Sequence, residues 1–179
     1  MKGLPNGLAG AALCAALCAC GGAGEQGDET SANEVAQQLA QVRIEPGMWE
    51  RSTDVLSVSA EGMPREAANR LKGRRSSSRH CITREQAARP NATFMATRQN
   101  SDCTYRDFTM QGGRVSGNMA CSNAESEGII RTAMSGEYGP QSYDMRMRVE
   151  APMSSGQIMT TEVRVRGRRV GACEGGSGQ

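Results

Sequence analysis

The sequence predicts a mainly β domain: a single antiparallel meander of about seven strands, forming a curved sheet or open barrel, with one or two short helices. Three observations carry this. Side chains alternate with period two through most of the chain after residue 44, most cleanly in YDMRMRVE, where Tyr143, Met145, Met147 and Val149 share one face. Glycine- and proline-bearing turns separate the alternating runs at Gly112-Gly113, Gly139-Pro140 and PMSSGQ. Aromatic residues make up only 3% of the chain while methionine occurs 11 times, so the core must be filled by Met, Val, Ile and Ala.

Taken in order, residues 33–43 place Val35, Leu39 and Val42 at helical spacing behind Asn33 as a cap, which predicts a short helix. A strand follows over 48–58, opening near the single Trp49. Residues 61–73 read as a helical insertion that begins near Pro64 and stops at Gly73. SSSRHCIT (76–83) reads as a strand and TREQAARP (83–90) as a helical turn, with Thr83 as cap and Gln86 three residues on. Strands are then expected at 103–110, 114–121, 128–138, 142–150 and 157–170. In the last, Met159, Thr161, Val163 and Val165 turn inward while Arg164, Arg166 and Arg168 turn outward.

The first residues set the compartment. Lys2 precedes an apolar run from Leu8 to Ala19, too short to span a bilayer and of signal-peptide length. It ends in Leu17-Cys18-Ala19-Cys20, which resembles the bacterial lipobox; an ordinary secretory signal cut after Ala19 or Ala23 is the competing reading. The lipobox implies that residues 1–19 are a lipoprotein signal peptide and that Cys20 carries diacylglycerol and palmitate-type acyl chains. Two such signals suffice for stable anchoring. Residues 20–43 are then a lipid-anchored tether with a possible short helix, 44–174 the β domain and 175–179 a disordered tail. Gly21 after the cysteine, where Asp would retain a lipoprotein at the inner membrane, favours the periplasmic side of the outer membrane.

Cys81, Cys103, Cys121 and Cys173 remain, and an even number in an exported chain reads as disulfides. Zinc cysteines come as close pairs, which the mature chain lacks, and Cys-x-x-Cys is absent too. Four cysteines allow three pairings, and the Gly112-Gly113 hairpin discriminates between them. A two-residue primed turn pairs Gln111 with Arg114, Met110 with Val115 and Phe108 with Gly117. Continued unbroken, it sets Cys103 opposite Ser122 and turns Tyr105 away from the face of Phe108. One bulge near Arg106-Asp107 repairs both, so Tyr105 opposes Met119 and Cys103 opposes Cys121. Cys81–Cys173 follows by elimination.

PGMWE (46–50), HCITREQAARP (80–90), CTYRDFTMQGGRVSGNMAC (103–121), MSGEYGPQSYDMRMRV (134–149) and VRVRGRRVGAC (163–173) together resemble the bacterial domain of unknown function 3617 family, over about residues 44–174. That resemblance implies a small exported Gram-negative protein, often a lipoprotein, and brings no catalytic residues with it.

Composition does little to choose a partner, since the net charge is only +2. The one histidine, His80, lies in a Ser/Arg-rich segment, and no nucleophile motif, paired carboxylates or phosphate loop accompanies it. The expectation is therefore no enzymatic activity, no catalytic residue, no metal and no cofactor. Methionines at strand spacing, Met145 and Met147 among them, suit a core better than a Cu(I) site. Arg146, Arg148, Arg164, Arg166 and Arg168 are outward on neighbouring strands and form a candidate anionic-ligand patch; Arg70, Lys72, Arg74, Arg75 and Arg79 form a second basic run. Expected partners are the membrane, through the N-terminal lipid, and an envelope lipid, other apolar or anionic ligand, or protein; nucleic acid is not expected.

Overall fold

The computed structural model describes residues 28–88, 102–123 and 126–173. The signal peptide, Cys20, the tether up to residue 27 and the tail over 175–179 lie outside the described residues. Eight antiparallel strands form one sheet that does not close: β1 Glu29–Thr30, β2 Gly47–Ala60, β3 Arg75–Ile82, β4 Cys103–Gln111, β5 Arg114–Asn123, β6 Ser126–Tyr138, β7 Ser142–Pro152 and β8 Ile158–Gly171. Their order is β1-β4-β5-β6-β7-β8-β2-β3. The meander thus comes round on itself. Its last strand pairs with its first long one, Val55 opposite Val163 and Glu50 opposite Arg168, and the two edges of the open sheet are β1 and β3. Three helices accompany the sheet: α1 Ala32–Ala40, α2 Arg65–Leu71 and α3 Arg84–Ala88. No helix among the described residues is long and apolar enough to cross a membrane.

The hairpin of β4 and β5 has the expected register. Gly112 and Gly113 both take positive φ, 59° and 78°, as the primed turn requires. Pairing runs Gln111–Arg114, Met110–Val115, breaks between Arg106 and Thr109, and resumes as Tyr105–Met119 and Cys103–Cys121. Asp107, at φ 51°, absorbs the extra residue. Cys103 and Cys121 form a disulfide across Cα atoms 4.1 Å apart, and Cys81 and Cys173 form the second, with Cα atoms 5.5 Å apart.

The N-terminal part departs from expectation. Asp28 to Thr30, read as tether, lead into the sheet through β1. The helix starts earlier than Asn33 predicts because Ser31 and Glu34 build a capping box: the Glu34 N–H donates to Ser31 Oγ at 3.2 Å and the Ser31 N–H donates to the Glu34 carboxylate at 2.8 Å. α1 is no appendage to a domain beginning at Ile44. Val35, Leu39 and Val42 are buried with Phe108, Met110, Val115, Met134 and Met145 in one cluster. By contrast, Thr83 and Gln86 cap α3 reciprocally, as the sequence indicates.

One sheet edge is closed by side chains. Gln38 of α1 donates from Nε2 to the Phe108 carbonyl (3.4 Å) and accepts the Met110 N–H at Oε1 (2.7 Å), so its amide stands in for a neighbouring strand along β4. Removing it by Gln38→Ala leaves both backbone groups without that partner. The expected loss is about 1–2 kcal/mol, with faster amide exchange at Met110; an unchanged denaturation midpoint would contradict this role.

Trp49, 1% exposed, locks the junction of three strands. Its indole N–H donates to the Glu45 carbonyl at 3.0 Å, and its ring stacks on Tyr143 with centroids 6.1 Å apart. Tyr143 lies over Gly167, where any Cβ would run into the phenol ring. Next to this, Arg169 Nε donates to the Pro46 carbonyl at 2.8 Å and the Gln141 amide donates to the Glu45 carboxylate at 2.9 and 3.0 Å. Residues from three distant segments are fastened together there.

Candidate functional site: the arginine face

Over β4 to β7 the inner face of the sheet packs against α1, and the opposite, outer face carries the arginines. Strand alternation decides which residues reach it. β7 and β8 pair with Arg146 opposite Arg164, Asp144 opposite Arg166 and Arg148 opposite Glu162. All five arginines of the candidate patch therefore lie on one face of two adjacent strands. β2 then pairs on the far side of β8, placing Asp54 opposite Arg164 and Glu50 opposite Arg168. β3 adds Arg75 opposite Asp54 and Arg79 opposite Glu50. Arg75 and Arg79 of the second basic run thus join the first patch, while Arg70 sits on α2 and Lys72 and Arg74 in the loop after it.

This face is a ladder of shared carboxylates. Asp54 is bonded by both Arg75 and Arg166, the latter at 2.6 Å. Glu50 is bonded by Arg168 at 2.9 Å and Arg79 at 3.1 Å. Arg164 grips Asp144 with two nitrogens. Arg148 reaches Glu150 at 3.2 Å and Glu162 at 3.4 Å. Arg146 and Arg131 have no carboxylate within ion-pair distance among the described residues. Each arginine–carboxylate–arginine trio keeps one net positive charge. The face is cationic, but far less so than the bare run of arginines implies. The carboxylates of β2 were not legible as part of it because β2 and β8 are more than a hundred residues apart.

The ion pairs shift the acids in a common direction. Arg168 and then Arg79 hold the Glu50 carboxyl below its ordinary 4.5. Arg75 and Arg166 hold Asp54, and Arg164 holds Asp144, below the ordinary 3.8. In this range the folded chain binds fewer protons than the unfolded one, so stability rises with pH. The contribution is fully present above about pH 5, where the unfolded carboxylates are ionised, and is lost as pH falls through the lowered folded values. The carboxylates should make thermal midpoints fall below about pH 5, in addition to the loss that begins as pH drops through 6.5 because burial, and then Arg51, hold His80 below that ordinary value. Asp54→Asn should soften that fall; an identical pH profile in the variant would exclude Asp54 from it.

A groove of about 760 Å³ runs along this face, lined by Glu50, Ser52, Arg75, Asp144, Arg166 and Arg168 among others. Among the described residues no three metal-ligating side chains of the His, Cys, Asp and Glu types cluster together.

Fold and face together define a disulfide-stapled, open antiparallel β sheet with a polar, arginine-rich outer surface. The chain belongs to the family described as "Protein of unknown function (DUF3617)", whose model matches residues 44–173. No curated protein matches the chain. No solved structure matches it either.

Proposed function

We propose that this protein is a non-enzymatic lipoprotein of the cell envelope, anchored through Cys20 on the periplasmic side of the outer membrane, that binds an anionic envelope component on its arginine face. The observation that carries the binding role is the ladder itself: Glu50 and Asp54 are each shared between two arginines, so guanidinium groups exceed carboxylates on the outer face. Two disulfides support an oxidising compartment, and the Leu17–Cys20 motif supports the anchor. The inner face favours an apolar ligand less, because α1 fills it against β4 to β7 with Val35, Leu39 and Val42.

The test is to purify the lipidated chain from envelope membranes at low ionic strength and identify co-purifying molecules by mass spectrometry. An anionic component that is retained at low salt and released at high salt is expected, since exposed ionic contacts are screened. Recovery of neutral lipid alone, or of nothing, would sink the reading.

A second reading, as a protein-interaction module, is favoured by one observation. β3 is one of the two edge strands of the sheet, and its Arg75 and Arg79 side chains are 63% and 69% exposed. Crosslinking in intact cells separates the two readings: a single protein adduct through β3 supports the second.

A further inference from the structure

At one end of the outer face the charged ladder gives way to an apolar row. Pro152 of β7 lies directly opposite Ile158 of β8. The β6–β7 register pairs Arg131 with Glu150, and carried two residues on it sets Ile129 beside Pro152. Gly128 permits the close approach, since a Cβ there would run into the Pro152 ring. Alternation puts Ile129, Pro152 and Ile158 on the face that carries Arg146, Arg148 and Arg164. Ile129 and Ile158 are 46% and 47% exposed, and Met153, next in the turn, is 38% exposed. The turn is tight: the Met153 N–H donates to the Gln157 carbonyl at 2.8 Å and the Gly156 N–H donates to the Met153 carbonyl at 2.9 Å. We propose that this row is a membrane contact, seated among the lipid chains of the bilayer that holds the Cys20 anchor. The inference rests on the lipid anchor and anionic-ligand reading above and names the bilayer surface as their common partner.

Three observations select a bilayer as the occupant. Exposed apolar side chains gathered in one place mark contact surfaces, and those of Ile129, Pro152, Met153 and Ile158 supply no strong hydrogen-bonding group to orient a polar partner. The chain between anchor and sheet is short: Asp28 stands eight residues after Cys20, a reach of at most about 28 Å. The row also ends β7 and β8, the strands that carry the arginine ladder. Apolar insertion and attraction of cations to anionic headgroups add in surface binding, so row and ladder serve one contact. Glu150 and Glu162 stand between them on that face, and Arg148 bonds both, at 3.2 and 3.4 Å.

The experiment places a nitroxide label on Ile158→Cys in the full lipidated chain. With Cys20 acylated and the four domain cysteines bonded, the introduced thiol is free to react alone. The protein is reconstituted in vesicles of phosphatidylglycerol and phosphatidylcholine in equal parts and, separately, of phosphatidylcholine alone. Collisions with oxygen and with a water-soluble nickel complex give the label's depth. A label on Gln37→Cys, an exposed position of α1 across the sheet, is the reference. In the mixed vesicles the label at 158 is expected about 5–10 Å below the phosphates, and the one at 37 in water. Ile129→Asp, in the same row, should return the 158 label to water. It should move the urea midpoint little, because Ile129 is half exposed. Seating in the mixed vesicles alone supports both the row and the anionic-ligand reading. Equal seating in phosphatidylcholine keeps the row as the membrane contact and removes the ladder's part in it. A label at 158 as wet as that at 37 in both vesicles overturns the membrane contact, and the envelope co-purification then decides the ladder's role separately. A label that stays seated in Ile129→Asp, or dipolar broadening between 158 labels from a second copy covering the row, overturns it too.

Discussion

Trp49→Ala is expected to destabilise the folded chain by about 3–5 kcal/mol, lowering the thermal midpoint by about 10–20 °C. Three losses combine. The indole is 1% exposed, so its removal leaves a large cavity where β2, β7 and β8 meet. Tyr143 loses the ring it stacks on and with it the restraint that holds its phenol over Gly167. The Glu45 carbonyl loses the indole N–H, in a segment also held by Arg169 at Pro46 and by Gln141 at Glu45. Trp49→Phe keeps the stacking but not the hydrogen bond and should recover much of the loss. Urea denaturation of the oxidised chain measures both variants. A cost below about 1 kcal/mol for the alanine variant would mean that this junction does not hold the sheet in its curved form.

Replacing Cys81 and Cys173 together by serine should cost about 4–5 kcal/mol, because the bond closes a loop of 92 residues in the unfolded chain. The corresponding loss for Cys103 and Cys121 is about 3 kcal/mol, for a separation of 18. Position in the sheet reinforces the order. Cys103 and Cys121 face each other inside a hairpin that its own ladder already registers. Cys81 is the next-to-last residue of β3, whose only strand neighbour is β2, and Cys173 follows the end of β8. The long-range bond therefore ties the edge strand β3 to the segment after β8, a strand with which β3 makes no pairing. Comparing the two double-serine variants by urea midpoint at equal m-value tests the order. A larger loss from the local pair would contradict it.

Much of the fold was legible because its signals are local. Period-two alternation located the long strands, and Gly112-Gly113 fixed the hairpin's turn. The need to keep Tyr105 and Phe108 on one face then forced a bulge that the backbone places at Asp107. That one deduction paired all four cysteines of the domain. What escaped was non-local or short. β1 has two residues and no periodicity to show. The Ser31–Glu34 box lies two residues ahead of the Asn33 cap that the helical spacing suggests. The packing of Val35, Leu39 and Val42 depends on a hairpin far along the chain.

The arginine face divides the same way. Alternation alone assigns Arg146, Arg148, Arg164, Arg166 and Arg168 to one side of β7 and β8. Nothing near them in sequence announces that Glu50 and Asp54 arrive from β2 to share them.

The central claim, an exported, lipid-anchored and doubly disulfide-bonded β domain, meets its most direct test in the intact mass of the protein purified from envelope membranes. The account predicts a chain beginning at Cys20 that carries diacylglycerol and an added acyl chain, with a mass that rises by four hydrogens on reduction of its two disulfides. A chain still beginning at Met1, or one whose mass does not change on reduction, would contradict it.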